Sequence, residues 1–449
     1  MNDTLKFFTE VAKLKEFKRT GWVLRGVKDP ETIAEHKFRV TLLAWLLAKK
    51  RGLNVERAIK IALSHDLCEV YTRDITPYVG LLPRNKAKRK EFLKRWVRLP
   101  QQQKEKRAKI KFKREKKLLL KLVKFLKPNV RNEIFSLWMD YEKGISREGR
   151  FVKQLDKIEP LIQSIEYFGA KNNTPVTGWW EEIEELVEDP LLLEFLEAIQ
   201  KKFYKKTTKT SKKTKDLDGI LEVILMAGKL KRRKRKGWIL TGARNPETIA
   251  GHVFILLLMV WIFSKAEPFK LNKEGLFKMA LSHGICKIYT NDRTPYDSIL
   301  KNKHKKAQRE ILKKWVRFSK KEKAENFLKK YKEEKASLAK IVAPLDNSLK
   351  KEIIQPWEEL KTMGSIESRF FHQVDVLANL FQALQYWKQD KNFPIASFWE
   401  WAFESVDNIA VLQFTETLKR RFYGKRLIIP SGIASTIASL WQNFSNTKR

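Results

Sequence analysis

Only two cysteines, Cys68 and Cys286, occur in 449 residues. That excludes a disulfide-stapled secreted scaffold and fits a reducing, cytoplasmic compartment. Long apolar runs are missing as well: the longest, Val253 to Phe263, spans 11 residues, too few to cross a bilayer and typical of a buried helix. No membrane span is expected. Met1 to Phe17 mixes Lys and Glu among apolar side chains, so no signal peptide is read there. Nor does the chain show the Val/Ile/Thr alternation between turn pairs that a sheet needs. The fold class expected is all-α.

Acidic residues are outnumbered, 52 Asp+Glu against 93 Lys+Arg, which leaves a formal charge of +41. A field of that sign favours polyanions such as nucleotides, nucleic acid or acidic surfaces. With 43% hydrophobic and 11% aromatic residues, the chain has enough apolar surface to fold, and disorder is excluded. Its length predicts more than one domain.

The chain is written twice. GWVLRGVKDPETIAEH (Gly21 to His36) returns as GWILTGARNPETIAGH (Gly237 to His252), an offset of 216. LSHDLCEVYTRDITPY (Leu63 to Tyr78) returns as LSHGICKIYTNDRTPY (Leu281 to Tyr296) at 218, and two later blocks return at 219. This is a tandem duplication of a long unit, not a short-period solenoid. The expected layout is a domain over 1–200, a solvated Lys/Thr-rich linker over 201–216, a second domain over 217–426 and a tail over 427–449 holding a short helix from about Ser431. The cysteines are repeat equivalents and read as small buried hydrophobes.

Asp29-Pro30 and Asn245-Pro246 each place a capping side chain before a proline, which predicts a helix opening there. The first runs through His36 to the Lys49-Lys50-Arg51-Gly52 stop. A second, from about Asn54, carries Ala58, Ile61, Ala62, His65, Asp66 and Glu69 on one stripe. A third, from about Phe151, has Asp156 on the margin of its apolar face and Pro160 inside, where a kink is expected.

Histidine is the sharpest clue. Of six in the chain, His36, His65, His252 and His283 fall at equivalent repeat positions. His65 and Asp66, about 100° apart on a helix, reach one point beside it. His36 from the preceding helix and Asp156 from a later one would complete a set of two imidazoles and two carboxylates suited to a catalytic divalent cation. Taken alone, the His-Asp dipeptide fits a core histidine bonded to a carboxylate as well.

The ordered pattern of His36, His65-Asp66 and Asp156 resembles the HD-domain metal-dependent phosphohydrolases. RTGWVLRGVKDPETIAEH, HDLCEVYTRDITP and LWMDYEKGISREGRFVKQLDKIEPLIQSIEYF look like the branch that contains 5′-deoxynucleotidases, helical enzymes that remove phosphate from deoxynucleoside monophosphates. The resemblance covers most of residues 5–170. It implies that His36, His65, Asp66 and Asp156 bind one divalent ion, with Co, Mn, Mg and Zn all open. Glu69 and Asp74 would be the acid/base or water-orienting carboxylates, Arg19 would meet the substrate phosphate, and Trp22 would pack near the sugar. Glu69, four residues after His65 and three after Asp66, falls on the ligand side of the helix.

The second copy departs from the pattern. His252, His283, Asp292 and Asp375 persist, but Gly284 stands at the place of Asp66 and Lys287 at that of Glu69. An ammonium about 4 Å from a cation costs roughly 4 kcal/mol at an effective dielectric of 20, so metal binding is expected to fail there. An active and an inactive domain follow, the second serving as a built-in dimer partner. Both copies also hold a Lys/Arg-dense stretch, from Pro83 to Leu118 and from Lys301 to Lys335. It reads either as solvated helices with a narrow apolar face or as polyanion-binding arms in which Trp96 and Trp315 stack on bases. Besides the deoxynucleotidase reading, two others stay open: an HD phosphohydrolase for another nucleotide or phosphate ester, and a nucleic-acid-binding protein with a vestigial metal site.

Overall fold

The computed structural model describes residues 2–76, 78, 80–170, 174–204, 212–267, 270–290 and 292–424. The expected tail helix lies outside them. In the first half the helices are α1 (Asn2–Ala12), α2 (Thr20–Leu24), α3 (Ile33–Arg51), α4 (Val55–Ser64), α5 (Glu69–Thr72), α6 (Lys86–Phe92), α7 (Gln101–Val123), α8 (Pro128–Lys143), α9 (Arg147–Phe168), α10 (Val176–Leu186) and α11 (Pro190–Tyr204). The second half follows with α12 (Lys212–Gly228), α13 (Lys236–Leu240), α14 (Ile249–Ser264), α15 (Lys273–Ile285), α16 (Asp297–Leu300), α17 (Lys305–Leu312), α18 (Lys320–Val342), α19 (Asn347–Thr362), α20 (Ile366–Gln389), α21 (Ile395–Ser405) and α22 (Ile409–Tyr423). Among the described residues there is no strand, only two isolated bridges, Lys18 to Thr32 and Lys234 to Thr248. The fold is all-α.

Several boundaries differ from the sequence expectation. The helix holding His36 opens at Thr32, not at Asp29-Pro30, because the Thr32 side chain accepts from the Glu35 N–H while Glu35 reaches back to the Thr32 N–H. That reciprocal box satisfies two orphan donors at once, and Asp29-Pro30 precedes it as a turn. Thr248 caps α14 by accepting from the Gly251 N–H, without a reciprocal glutamate, and Asn245 has a left-handed φ of 49°. The stripe through Glu69 is not one helix: α4 stops at Ser64, and i to i+3 bonds from Leu67 to Ser64 and from Glu69 to Asp66 tighten the chain before α5 begins. The third helix starts at Arg147, capped by Ser146, and continues past Pro160. The linker is shorter than expected, since 201–204 finish α11 and 212–216 begin α12. Gly52 ends α3 at φ 72°, the left-handed cap foreseen.

α3 is the central pillar. Its residues from Ile33 to Ala48 are all buried because α4, α9, α12 and α14 pack around it. The first helix of each half crosses to the other half. α1 sets Phe8 against Phe263, Phe381 and Phe414, with ring centroids 5.8, 6.4 and 5.9 Å away, and α12 packs on α3 and α11. Phe8 is wholly buried, a contribution of about 1.5–3 kcal/mol.

Polar contacts across the halves are reciprocal. Lys15 binds Glu247 and Gln382, while its equivalent Lys231 binds Glu31 and Gln163. Trp45 donates to Glu352 at 3.2 Å, and Trp261 donates to Glu133 at 3.2 Å. Equivalent residues of the two halves thus make equivalent contacts with the other half.

α7 and α18, which carry much of the basic stretches, expose most of their length. In α7 only Glu115, Leu119, Leu122 and Val123 are buried. Both cysteines are free and buried. No helix of the described residues is long and apolar enough to cross a membrane.

Candidate metal centre

Three segments bring the first-half site together: α3 supplies His36, the tightened turn after α4 supplies His65 and Asp66, and α9 supplies Asp156. One ligand atom from each lies within 4.8 Å of all the others. His36 Nε2 is 3.0 Å from Asp156 Oδ1, and His65 Nε2 is 3.0 Å from Asp66 Oδ2 and 3.4 Å from Asp156 Oδ1. The four residues singled out in the sequence therefore converge.

Their hydrogen bonds decide what the cluster can hold. His36 Nδ1 lies 2.5 Å from the Glu159 carboxylate, and His65 Nδ1 lies 2.8 Å from the Ala62 carbonyl. Lys37 Nζ is 3.5 Å from His65 Nδ1, but the shorter contact of each Nδ1 is to an acceptor, which places the proton there and turns Nε2 to the cluster. Burial disfavours charge on Glu159, yet Lys231, Arg39 and His36 hold it well below the usual carboxylate range. Tyr141 ties the other oxygen of Asp156 at 2.8 Å. The two Nε2 atoms and the Asp66 and Asp156 carboxylates thus face one another, and His65 Nε2 has no hydrogen-bond partner. Such a cluster fits a divalent cation, oriented by carboxylate and carbonyl partners behind the imidazoles.

Glu69 is buried beside the cluster, and its Oε2 has no hydrogen-bond partner. Burial, then the charges of Asp66 and Asp74, push its carboxyl well above the normal range. Asp74 is already engaged: its Oδ2 accepts from the Thr20 N–H at 2.8 Å and lies 3.9 Å from Arg19 Nε. Burial opposes the Arg19 charge, but Asp74, Glu31, Asp156 and Glu69 raise its pKa. A cavity of about 120 Å³ next to Asp156 is lined by Arg19, Trp22, Arg25, Asp74, Lys157 and Trp179, among others. Trp22 is part of its wall, stacked on Trp179 at 4.6 Å with its indole N–H bound to Glu31.

In the second half the corresponding atoms of His252, His283 and Asp375 again lie within 4.8 Å of one another. Their protons are arranged differently. Ala378 stands where the first half has Glu159, and Arg235, which can only donate, lies 3.1 Å from His252 Nδ1; Glu247 is farther, at 3.4 Å. His252 Nε2 then carries the proton and donates to Asp375 at 3.0 Å. The Lys287 ammonium lies 3.1 Å from His283 Nε2 and 3.4 Å from Asp292. Burial and Lys287 push the His283 pKa well below its normal value. A Cβ at Gly284 would meet Val253 Cγ2 at 2.7 Å, so the missing aspartate has no room either.

The HD-domain family profile matches residues 11–178, 227–333 and 318–403, which is most of the chain and reaches both halves. The chain belongs to the HD-domain family. Among similar curated proteins, the 5′-deoxynucleotidase HDDC2 of Bos taurus is 33% identical over 168 residues, 37% of this chain and 69% of that protein. The Danio rerio 5′-deoxynucleotidase HDDC2 is 34% identical over 167 residues, 37% of this chain and 70% of that protein. A solved structure of a conserved hypothetical protein from Pyrococcus furiosus is 27% identical, with 45% of this chain and 99% of that one covered at a TM-score of 0.31.

Around the HD cluster stand residues that the sequence reading passed over. Glu159, three residues after Asp156 on α9, was legible as a neighbour on one helix face. Lys157 lies 3.5 Å from both Asp156 and Glu182. Arg25 sits 4.2 Å over the Trp179 ring and donates to Tyr78 Oη at 2.9 Å. Lys231 binds both Glu31 and Glu159, yet it comes from the other repeat, and no spacing rule points to it. Trp96 and Trp315 are half-buried in the walls of the two repeat cavities, and Trp315 is stacked on Trp401 at 5.0 Å.

Proposed function

We propose that the first HD repeat removes the 5′-phosphate of deoxynucleoside or nucleoside monophosphates, and that the second repeat is catalytically inactive and acts as an intramolecular dimer partner. The chain is a metal-dependent nucleotide phosphohydrolase. The observation that carries the finer reading is the set of two histidines and two aspartates whose ligand atoms lie within 4.8 Å of one another in the first repeat, against the second, where Gly284 stands for Asp66 and the Lys287 ammonium lies 3.1 Å from His283 Nε2. The relatives named 5′-deoxynucleotidase support the choice of substrate class.

In this reading His36, His65, Asp66 and Asp156 hold one divalent ion. The ion supplies Lewis-acid polarisation of the phosphoryl group. Arg19, charged and beside the cavity, binds the phosphate oxygens, a charge-assisted contact. Glu69 has an oxygen without a partner and a proton affinity raised by burial, so in its ionised form it takes a proton from the attacking water. Asp74 holds Arg19 and the N-terminus of α2 in register. Water adds its oxygen to phosphorus, the P–O bond to the 5′-oxygen breaks, and that oxygen leaves as an alcohol by taking the proton that Glu69 received from the water. Arg25, Trp22 and Trp179 form the wall against which sugar and base lie. The proposed division is 1–200 for the active unit and 217–426 for its partner; the reciprocal pairs Lys15–Glu247 and Lys231–Glu31 support the dimer-like role.

The test is a phosphate-release panel over nucleoside mono-, di- and triphosphates with Co, Mn, Mg and Zn. Release from monophosphates alone, absent in Asp66→Ala, is expected. Release that survives Asp66→Ala would overturn the assignment of the site.

A further inference from the structure

The second repeat lacks counterparts of Asp66 and Glu69, yet its cavity is the larger of the two. It measures about 330 Å³ against about 120 Å³ in the first repeat, and reaches the lower end of the range for small-molecule sites. Two of the substitutions in its wall change its character. Thr241 stands where Arg25 fills the first cavity, and Trp401 replaces Glu182. The space gained is apolar and aromatic on one side, lined by Trp238, Tyr296, Phe398 and Trp401.

The other side is cationic. Arg235, Lys287, Lys330 and Lys361 line it, and Lys287 and Lys361 stand where the first repeat has Glu69 and Glu142. The facing acids are already partnered. Asp292 lies 3.4 Å from Lys287 and accepts from the Lys236 N–H at 3.1 Å. Asp375 accepts from His252, and Glu334 forms an ion pair with Lys361 at 2.5 Å although its Oε2 makes no hydrogen bond. Lys330 is only loosely held, 3.9 Å from Glu334, with 43% of its side chain exposed. Two buried donors on the cavity wall make no hydrogen bond: Arg235 Nε, which lies 3.8 Å from Asp292, and His283 Nδ1, which carries the proton because Nε2 faces the Lys287 ammonium. Unpaired buried donors are costly and point to an absent acceptor.

We propose that this cavity is a metal-independent binding site for a nucleoside monophosphate, whose phosphate is met by Lys287, Lys330, Lys361 and Arg235 and whose base stacks on the aromatic wall. The cations do by hydrogen bonding and charge what a metal does in the first repeat, but no group there activates water, so the ligand is held and not hydrolysed. The inference rests on the reading of the second repeat as metal-free; it does not need the first repeat to be active.

The experiment uses the full chain in excess EDTA with dAMP, deoxyadenosine and inorganic phosphate as probes, followed by calorimetry. One dAMP per chain is expected, with deoxyadenosine and phosphate each at least about tenfold weaker. Lys287→Gln with Lys330→Gln should weaken dAMP about tenfold or more, whereas Arg19→Met should leave this binding unchanged. Trp401→Ala should weaken dAMP about fivefold or more but not phosphate. Phosphate release with metal present, retained in the second-repeat variants, shows that they are folded. Absence of saturable dAMP binding, binding that requires a divalent ion, or binding lost in Arg19→Met and kept in the lysine variant would overturn the proposal. Binding in EDTA by a chain that releases no phosphate would sink the proposed function and leave this site standing.

Discussion

Lys231 and His36 share one carboxylate: the Lys231 ammonium binds Glu159 Oε1 while the His36 imidazole donates to Oε2 2.5 Å away. A residue of the second repeat thereby orients a candidate metal ligand of the first. Arg39 holds the same Oε1 at 2.7 Å, so Glu159 keeps a partner when Lys231 is removed. Lys231→Met should therefore not unfold the chain but should weaken metal affinity by about tenfold, the lower end of what loss of a supporting partner costs. Titrating phosphate release against the divalent ion checks it; an unchanged midpoint would show that the two repeats are not coupled through this lysine.

Metal analysis of the full chain should give one ion. Asp66→Ala should lose that ion and the activity together, whereas His283→Ala should lose neither, because His283 Nε2 already faces Lys287. Two ions per chain would contradict the division between repeats.

Glu69→Gln removes a proton acceptor without touching the four clustered ligand atoms. Metal content should stay at the wild-type level while kcat falls by about 10²–10⁴. Loss of the ion from this variant would instead make Glu69 a ligand.

Arg19→Met should act on the substrate. Deleting a charged partner of the phosphate is worth about 1.5–3 kcal/mol, seen as a fall of roughly tenfold to hundredfold in kcat/KM with metal affinity retained. Since Arg19 lies 3.9 Å from Asp74, Asp74→Asn should show a smaller loss in the same direction.

Restoring the acids of the second repeat should not restore its metal. Gly284→Asp places its Cβ 2.7 Å from Val253 Cγ2, and Arg235 keeps the His252 Nε2 proton turned toward Asp375. The double change Gly284→Asp with Lys287→Glu should still bind one ion per chain by elemental analysis.

The sequence alone determined the duplication, the all-α class, the four metal-site candidates and the loss of two acids in the second copy, because each is written in residue identity and spacing. It misplaced the start of α3, since a Thr32–Glu35 box outcompetes Asp29-Pro30 through two reciprocal bonds. It also drew one helix through Glu69 where the i to i+3 bonds turn the chain. Only the tertiary structure decided which ring nitrogen of each histidine is free, because a tautomer depends on what lies behind the imidazole: Glu159 behind His36, Arg235 behind His252. The same holds for Lys231, brought to Glu159 by the crossing of α12 onto α3. Contacts between repeats obey packing and charge in space, and no local pattern in either repeat encodes them.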